Sequence, residues 1–421
     1  MNFSKNTLVN LLIPLTLLAI SAGIIFYEFP AIPQNIALDE VEFIRLAKTL
    51  ENTAYTPYTQ LATGHATLYF YLLLGSIKLF GDTVLAVRLP SAIFGVINTF
   101  LIYKVFQLVF PKKNTLPFFI AFMFITMRWY FNFARFGFEA TTVIFFELLG
   151  VYAFLLYRKT KSLKYIIMTG IAAGLAYNSY TPGRLFFLLP SFLLLFERGI
   201  RQRITLNPLK RLTFLLVPFI LLTIPLNVYF NSNDDNRIYE LFYLQNEQLS
   251  VSEKTEFTLQ NIQKVSGQFF MKGDINGRHN YPGKPMLNPI QSILFIVGLG
   301  VAIKNWRQFH HRLFLVFFLI GILPPLLTYP WENPNALRSV TTLPSIVYFM
   351  GLPLVSIFRL PLAKKYLILG IFVILSLSAI YELRTYFVFQ KTVFPESFEL
   401  NVNFIKPYLE GNYFLDPNKN Q

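Results

Sequence analysis

Cysteine is absent from the 421-residue sequence, and charged residues make up only 14% of it. Without cysteine, the chain can form neither a disulfide bond nor a metal site with thiolate ligands. Hydrophobic residues reach 54%, aromatic residues reach 17%, and the mean hydropathy is +0.47. This composition is typical of an integral membrane protein rather than a soluble domain, in which about 25% of residues are charged.

Apolar runs of about twenty residues, the length that a helix needs to cross a bilayer, recur along the whole sequence. They predict an all-α, polytopic membrane protein with about 11 transmembrane helices. The predicted spans are Leu8–Tyr27, Val84–Phe110, Leu116–Phe133, Thr141–Tyr157, Tyr165–Tyr180, Leu185–Phe196, Leu212–Phe230, Pro289–Ile303, Leu313–Tyr329, Val340–Phe358 and Tyr366–Tyr381. A further run, Ala66–Phe80, would extend only about 22 Å as a helix, so we expect it at the membrane surface.

The net charge of +15 could indicate either nucleic acid or a membrane surface as partner. Basic residues cluster in alternate connections between the predicted spans, which the positive-inside rule assigns to the cytoplasm. They are Lys112, Lys113, Arg158, Lys159, Lys161, Lys164, Arg198, Arg201, Arg203, Lys210, Arg211, Lys304, Arg307, Arg312, Arg359, Lys364 and Lys365. The pattern favours the lipid bilayer and no nucleic acid, and it predicts a protein of the cytoplasmic membrane with its amino terminus inside.

The same alternation divides the chain into domains. Residues 1–385 form the predicted transmembrane domain, in which residues 28–83 are the first outer loop and residues 231–288 are the second. Residues 386–421 form an extracytoplasmic tail that is too short for a second domain. We therefore expect any chemistry on the extracytoplasmic face, where the long loops lie.

Three carboxylates stand within four positions of the first outer loop, at Asp39, Glu40 and Glu42. Apolar residues then recur at helical spacing, so Asp39 and Glu40 are predicted at the start of a short amphipathic helix along the membrane surface. In that position they could merely cap the helix and complement its dipole. Whether Asp39 and Glu40 instead form a catalytic pair depends on which other residues lie on the same face of the membrane.

Four arginines lie at the predicted outer ends of helices, where basic residues are otherwise sparse: Arg88, Arg135, Arg184 and Arg338. Each could extend to the lipid headgroups, but four on one face with an acidic pair indicate a shared anionic site. A guanidinium group suits phosphate because its donors form a planar fork. Arg135 and Glu139 stand four residues apart and could instead form a local ion pair if the segment is helical.

Taken in order, these segments resemble the GT-C superfamily of membrane glycosyltransferases. Within it, the closest resemblance is to the branch of protein O-mannosyltransferases and lipid A aminoarabinose transferases. The matching residues are Leu38-Asp39-Glu40, Leu79-Phe80-Gly81-Asp82, Val87-Arg88-Leu89-Pro90-Ser91-Ala92, Ala134-Arg135-Phe136-Gly137-Phe138, Tyr180-Thr181-Pro182-Gly183-Arg184, Asn335-Ala336-Leu337-Arg338-Ser339 and Leu343-Pro344. Their order and spacing, over about residues 30–355, are more specific than any single motif.

The resemblance implies that Asp39 is the catalytic base, with Glu40 beside it, and that Ala66–Phe80 is a juxtamembrane helix. It also implies a polyprenyl-phosphate-sugar donor and an acceptor hydroxyl on a glycan, a lipid or a protein. Many relatives carry a basic residue and prolines where this chain has Gly64-His65-Ala66-Thr67, which makes His65 a candidate contact for the donor. Several relatives have an aspartate in the second outer link, where the nearest acid here is Glu139.

The expected mechanism is a single displacement, in which Asp39 takes the proton of the acceptor hydroxyl. The four arginines, with Asn335, would hold the lipid monophosphate that leaves. No metal ion is required, although Asp39, Glu40 and Glu139 could together hold a divalent cation. Two other classes of function stay open: a transporter or flippase that uses the mid-span Glu147, and a non-catalytic lipid-binding assembly subunit.

Overall fold

The computed structural model describes residues 5–111, 115–196, 208–233 and 241–411. Several residues and segments used in the sequence argument lie outside these ranges: Lys112, Lys113, Arg198, Arg201, Arg203, residues 234–240 of the second outer loop and residues 412–421 of the tail. Within the described ranges the chain is almost entirely helical. Its one small sheet pairs β1 (Tyr58–Thr59) with β2 (His65–Ala66) in antiparallel orientation.

The helices are numbered here in chain order. They are α1 (Lys5–Phe26), α2 (Leu38–Thr49), α3 (Leu68–Phe80), α4 (Val84–Val109), α5 (Thr115–Thr126), α6 (Arg128–Phe133), α7 (Ala140–Thr160), α8 (Leu163–Tyr177), α9 (Leu188–Phe196), α10 (Pro208–Ser232), α11 (Val251–Gly267), α12 (Pro289–Lys304), α13 (Phe309–Leu327), α14 (Leu343–Ile357), α15 (Lys364–Arg384), α16 (Phe394–Ser397) and α17 (Ile405–Leu409). Every predicted span overlaps at least one of these helices.

Six stretches of the described chain are long and apolar enough to cross a membrane. They are Val84–Val109, Ala140–Thr160, Leu209–Ser232, Phe309–Leu327, Val340–Ile357 and Lys364–Ser397. Shorter apolar helices accompany them, including α5, α8 and α12. The all-α, polytopic architecture is thus confirmed, and the number of about 11 spans stays a prediction.

Small residues allow the long helices to approach each other closely. A Cβ atom at Gly170 of α8 would lie 2.1 Å from the carbonyl oxygen of Leu215 on α10. A Cβ atom at Gly298 of α12 would lie 1.7 Å from the carbonyl oxygen of Phe349 on α14. Such backbone contact through glycine is a common way for helices to pack in membranes, where apolar side chains gain little from association.

The predicted first outer loop, residues 28–83, is folded rather than open. Its helices α2 and α3 pack against each other, and α3 also packs on α4. The buried residues of α2 include Val41, Phe43, Ile44 and Ala47, which follow the helical spacing of the sequence. A β-bridge between Ile36 and Leu400 joins this loop to the segment that follows α15. The loop is therefore held from both sides.

Candidate active site

The acidic pair occupies the first turn of α2, but its two members face different surroundings. Ala37 is the N-cap residue, and Glu40 performs the capping role by accepting the Ala37 backbone N–H at 3.1 Å. The Asp39 side chain is 54% exposed, whereas that of Glu40 is 1% exposed. Successive residues on a helix point about 100° apart, so one carboxylate reaches solvent and the other the interior.

Glu40 is held by Arg88 of α4 in a two-point ion pair. Nε and Nη2 of Arg88 donate to the two carboxylate oxygens of Glu40, both at 2.9 Å. The other three N–H groups of Arg88 donate to the backbone carbonyls of Pro30, Pro33 and Asn35, at 2.7–2.8 Å. A guanidinium group has five N–H donors, and all five are used here. Arg88 is fully buried and offers no donor to a bound phosphate.

Arg135 has a comparable position at the end of α1. Its Nη1 and Nη2 atoms donate to the carbonyls of Ile24, Ile25, Tyr27 and Ile32, at 2.5–2.9 Å. A helix leaves its last carbonyls without partners, and Arg135 satisfies several of them. The alternative of a local ion pair with Glu139 is wrong, because residues 134–139 are not helical and the two side chains have different partners.

The exposed carboxylate of Asp39 pairs with Arg278 of the second outer loop. Oδ2 of Asp39 lies 2.7 Å from Nη1 of Arg278, whose side chain is 22% exposed. The turn that carries Arg278 is fixed locally: Asn276 Oδ1 accepts the Arg278 backbone N–H at 3.0 Å, and Asp274 Oδ1 accepts that of Asn276 at 2.8 Å. The contact therefore joins a preformed turn to the start of α2.

His65 and Glu139 form a buried pair between the small sheet and α7. Nδ1 of His65 lies 2.7 Å from Oε1 of Glu139, and Nε2 lies 2.9 Å from the carbonyl oxygen of Ala62. A carbonyl can only accept, so Nε2 must carry a proton. The bond between His65 and Glu139 therefore holds one shared proton. Oε2 of Glu139 is buried and has no hydrogen-bond partner in the described structure.

A pocket partly open to solvent lies between the small sheet, the segment after α8 and the carboxyl-terminal end of α13. The residues that line it include Tyr58, Tyr180, Thr181, Arg184, Phe242, Thr328 and Arg338. Two of the four predicted outer arginines thus share one cavity. The other two, Arg88 and Arg135, are buried elsewhere in the protein.

Arg338 is oriented towards this pocket by several contacts. Its Nη2 lies 2.9 Å from the Glu332 carboxylate, while its backbone N–H donates to Oδ1 of Asn335 at 2.9 Å. Asp274 accepts the backbone N–H of Ala336 at 2.8 Å, which ties the same link to the turn of the second outer loop. Nη1 of Arg338 is buried without a hydrogen-bond partner among the residues that the structure describes. Such an unsatisfied cationic donor suits an anionic ligand.

Aromatic rings connect the Asp39 region to the pocket. Phe43 lies one turn after Asp39 on α2 and contacts His65 and Phe138, with ring centroids 5.2 and 5.4 Å apart. Phe138 packs edge-on against Tyr180 of the pocket wall at 5.9 Å. The carboxylate and the arginine-lined pocket therefore belong to one continuous part of the molecule.

A second, apolar pocket lies deeper between α7, α9 and α13. Its lining includes Gly150, Phe154, Leu189, Leu193 and Leu313. Eleven residues separate Leu313 from Pro324, which lines the first pocket, so the two pockets lie about 16 Å apart along α13. This second pocket is an apolar crevice that shares α13 with the polar pocket but is separate from it.

The three acids considered for a metal ion do not form a site. No group of three or more His, Asp or Glu side chains in the described part of the chain could hold a cation. Glu40 is engaged by Arg88 and Glu139 by His65, so only Asp39 is exposed. The contacts of Glu40 and Glu139 therefore do not support the possibility that these two acids and Asp39 share a divalent cation.

Two residues of this region were not foreseen from the sequence. Arg278 lies within the segment Asn276–Gly283, which reads only as a turn-rich loop. The signal that the sequence offered for Arg278 was a single arginine within a predicted loop. Tyr58, which lines the pocket, belongs to a two-residue strand too short to be recognised from a pattern.

Residues 64–228 match the model of a family described as dolichyl-phosphate-mannose-protein mannosyltransferase. A comparison with curated protein sequences finds no match. Among solved structures, ArnT from Cupriavidus metallidurans, bound to undecaprenyl phosphate, is 12% identical with a TM-score of 0.54, covering 97% of this chain and 79% of that chain. AglB, the oligosaccharyltransferase from Archaeoglobus fulgidus, in complex with an inhibitory peptide and a dolichol-phosphate, is 14% identical with a TM-score of 0.56.

The AglB alignment covers 93% of this chain and 56% of that chain. The protein O-mannosyltransferase Pmt1–Pmt2 complex of S. cerevisiae, bound to the sugar donor, is 22% identical with a TM-score of 0.45 and coverages of 60% and 38%. The chain thus spans 38% and 56% of the Pmt1–Pmt2 and AglB chains that it matches. The fold is that of a polytopic membrane protein of the GT-C type. The family match and this fold confirm the predicted relationship to the GT-C superfamily of glycosyltransferases.

Proposed function

We propose that the chain is an integral-membrane glycosyltransferase that moves a sugar from a polyprenyl-phosphate-linked donor to an acceptor hydroxyl on the extracytoplasmic face. The observation that carries this proposal is an exposed carboxylate, Asp39, on a helix that packed aromatic rings connect to an arginine-lined pocket. An apolar crevice lies further along α13. The similar ArnT and AglB were solved with undecaprenyl phosphate and a dolichol-phosphate, and we assign a lipid of this class to the present chain.

Arg184 and Arg338 are the proposed ligands of the donor phosphate. Both line the polar pocket, and the unsatisfied Nη1 of Arg338 would gain a charge-assisted hydrogen bond from a phosphate oxygen. Thr181 and Tyr58 line the same cavity and add hydroxyl groups. The isoprenoid tail would occupy the apolar crevice between α9 and α13, so the donor would stay within the bilayer.

Asp39 is the proposed base. The acceptor hydroxyl attacks the anomeric carbon, a new carbon–oxygen bond forms, and the bond from that carbon to the phosphate oxygen breaks. The lipid monophosphate leaves with the electron pair, and the hydroxyl proton passes to Asp39. Arginines beside the leaving group stabilise the charge that develops there. Arg278 already contacts Asp39, so it can orient the carboxylate and reach an incoming anion from the same place.

The remaining predicted site residues have structural roles in this proposal. Glu40 and Arg88 fix the start of α2, and Arg135 closes the end of α1. His65 and Glu139 tie the small sheet to α7 and thereby hold the wall of the pocket. Asn335 orients the backbone of Arg338. These contacts keep the reacting groups on rigid elements, as a preorganised site requires.

The test uses the purified chain in liposomes with polyprenyl-phosphate hexoses and pentoses as donors and solubilised native membranes as the source of acceptor. Mass spectrometry measures the release of polyprenyl phosphate and the appearance of the sugar on an acceptor. We expect turnover with one donor class, its loss in Asp39→Asn, and normal turnover in Glu51→Gln, which changes an exposed acid of the same loop. Donor release that is equal in Asp39→Asn and the native chain would refute the assignment.

Transport is the second candidate function. Glu147 lies within α7, is 1% exposed, and its Oε2 has no hydrogen-bond partner in the described residues. A buried acid inside a membrane span often marks a substrate or proton path. The same liposomes decide between the two functions: solute or lipid movement that disappears in Glu147→Gln, without any sugar transfer, would favour transport.

A further inference from the structure

The segment that follows α15 contacts the residue before each partner of the Asp39–Arg278 pair. Ile36 and Leu400 exchange two backbone hydrogen bonds, at 2.8 and 3.0 Å, two residues before α2 begins. The Glu399 carboxylate accepts the backbone N–H of Leu38 at 3.1 Å. Leu38 immediately precedes Asp39, so this acid complements the positive end of the α2 dipole beside the proposed base.

The same segment also holds the turn that carries Arg278. Nε2 of Gln390 donates to the carbonyl oxygen of Gly277 at 3.1 Å. A Cβ atom at Gly277 would lie only 2.0 Å from the hydroxyl oxygen of Ser397, so the backbone of the turn rests directly on α16. Gly277 is the residue before Arg278, as Leu38 is the residue before Asp39.

Further along, the chain closes over the outer surface of α2. The Tyr408 hydroxyl donates to the carboxylate of Glu42, and the Arg45 guanidinium lies 4.8 Å from the centre of the Tyr408 ring. Burial, with the neighbouring Glu42 carboxylate, raises the pKa of Tyr408 to about 12, so the hydroxyl keeps its proton at physiological pH. Phe398 packs over Arg88 with 5.3 Å between the guanidinium carbon and the ring centre.

We propose that Glu399 and Ser397 are positioning residues of the active site, in which Glu399 sets the first turn of α2 and Ser397 sets the Arg278 turn. This inference rests on the proposed function, because it assigns the two contacts to the alignment of the Asp39 carboxylate with Arg278. Neither Glu399 nor Ser397 reacts with substrate. Each acts through the backbone of the residue that precedes a site residue.

The kinetic test compares substitutions of two exposed acids in the same segment. We expect Glu399→Ala to lower kcat about ten- to a hundred-fold, because small displacements of a reacting group have effects of this size. The donor KM should stay within about twofold, since the phosphate pocket is untouched. Glu399→Gln keeps an acceptor oxygen for the Leu38 N–H and should restore most of kcat. Glu396→Ala, the matched control, should behave as the native chain. Equal kcat in all three variants would overturn the proposal.

The Arg278 side of the proposal is tested by a paired substitution. Gly277→Ala should lower kcat because the new methyl group meets the Ser397 side chain. Ser397→Gly removes that side chain, so the double variant should recover turnover that Gly277→Ala loses. A double variant as slow as the single one would mean that the contact with Ser397 does not set the turn.

A measurement that does not depend on sugar transfer distinguishes this proposal from the proposed function. In the cysteine-free chain, Asp39→Cys with Arg278→Cys can be joined by a short bifunctional thiol reagent, and the product can be measured by mass. We expect high yield in this background, several-fold lower yield when Glu399→Ala or Gly277→Ala is added, and no decrease with Glu396→Ala. An unchanged yield in all backgrounds would refute the positioning role even if sugar transfer were observed. A decrease without any sugar transfer would uphold the alignment and refute the proposed function.

Discussion

Oδ2 of Asp39 lies 2.7 Å from Nη1 of Arg278, although 239 residues separate them in the chain. The contact joins the first and second predicted outer loops at the start of α2. Both side chains are partly exposed, so the pair adds only about 0–1 kcal/mol to stability. Its importance therefore lies in the alignment of the carboxylate rather than in holding the fold together.

Substitution of Arg278 is expected to affect turnover but not stability. Arg278→Ala should lower kcat at least about tenfold if the guanidinium orients Asp39 or meets the donor anion, since charged hydrogen bonds contribute about 1.5–3 kcal/mol. Arg278→Lys should recover only part of the lost kcat, because an ammonium group lacks the planar fork of donors. Lys272→Ala, an exposed cation of the same loop, serves as the control. An Arg278→Ala variant with normal kcat would limit this residue to a surface contact.

Asp39→Asn is expected to lower transfer about 10²–10⁴-fold, the usual size of a general-base contribution. The thermal transition of the protein in detergent should stay nearly unchanged, because Asp39 is exposed and Glu40 performs the capping role at Ala37. Transfer and melting are measured on the same preparation. Retention of more than about a tenth of the native rate would contradict the base assignment.

Glu40→Gln is expected to show the opposite pattern. Removing one partner of a buried ion pair costs about 3–5 kcal/mol, because the other charge stays buried without compensation. The variant should therefore melt at a lower temperature and yield less folded protein, and Arg88→Ala should do the same. Glu51→Gln, at an exposed ion pair, is the control. Normal melting of Glu40→Gln with strongly reduced transfer would instead give Glu40 a direct role in the chemistry.

The arginines of the polar pocket are expected to determine donor use. Arg338→Ala and Arg184→Ala should each raise the donor KM about ten- to a hundredfold, as the loss of a charged hydrogen bond predicts. Arg384→Ala changes an exposed arginine at the end of α15 and should have little effect. Titration of each variant with a short-chain polyprenyl phosphate measures the same difference as a change in binding affinity. Similar, mild effects in all three variants would mean that the pocket does not hold the phosphate.

The predicted topology can be tested with single cysteines in the cysteine-free chain. Gln60→Cys lies in an exposed part of the first outer loop, and Lys159→Cys lies in a predicted cytoplasmic connection. A membrane-impermeant maleimide added to intact cells should label the first but not the second, and permeabilisation should expose the second. The reverse pattern would place the proposed site in the cytoplasm.

Local signals in the sequence were sufficient for the apolar helices and for the start of α2, but not for the polar helix α11. The start of α2 follows from Asp39 and Glu40 before an apolar helical pattern, and the structure places that helix at Leu38–Thr49. The long apolar runs likewise predicted the polytopic fold, because each run can be read from consecutive residues of the sequence. The short helix predicted at Ala66–Phe80 is another example, because the structure has α3 at Leu68–Phe80.

The partners of the charged residues could not be predicted in this way. The sequence suggests one shared site for the four outer arginines, whereas the structure separates Arg88 and Arg135 from the pocket of Arg184 and Arg338. Arg88 and Arg135 bind backbone carbonyl groups, which every residue has. No residue type in the sequence therefore indicates these contacts. Arg278 was missed because its partner stands far away in the chain and only the folded loops bring them together.

The position of Ser397 and Glu399 in the chain has a consequence for biosynthesis. Both residues lie at or just beyond the end of the last apolar stretch that the structure describes, so the ribosome makes them after the helices that line the pocket. Until then, the first turn of α2 lacks the Ile36–Leu400 bridge and the Glu399 contact. A nascent or truncated chain would carry every residue of the pocket and still lack an aligned carboxylate. Under the proposed function, sugar transfer would therefore begin only after Ser397 and Glu399 have been made and have formed their contacts.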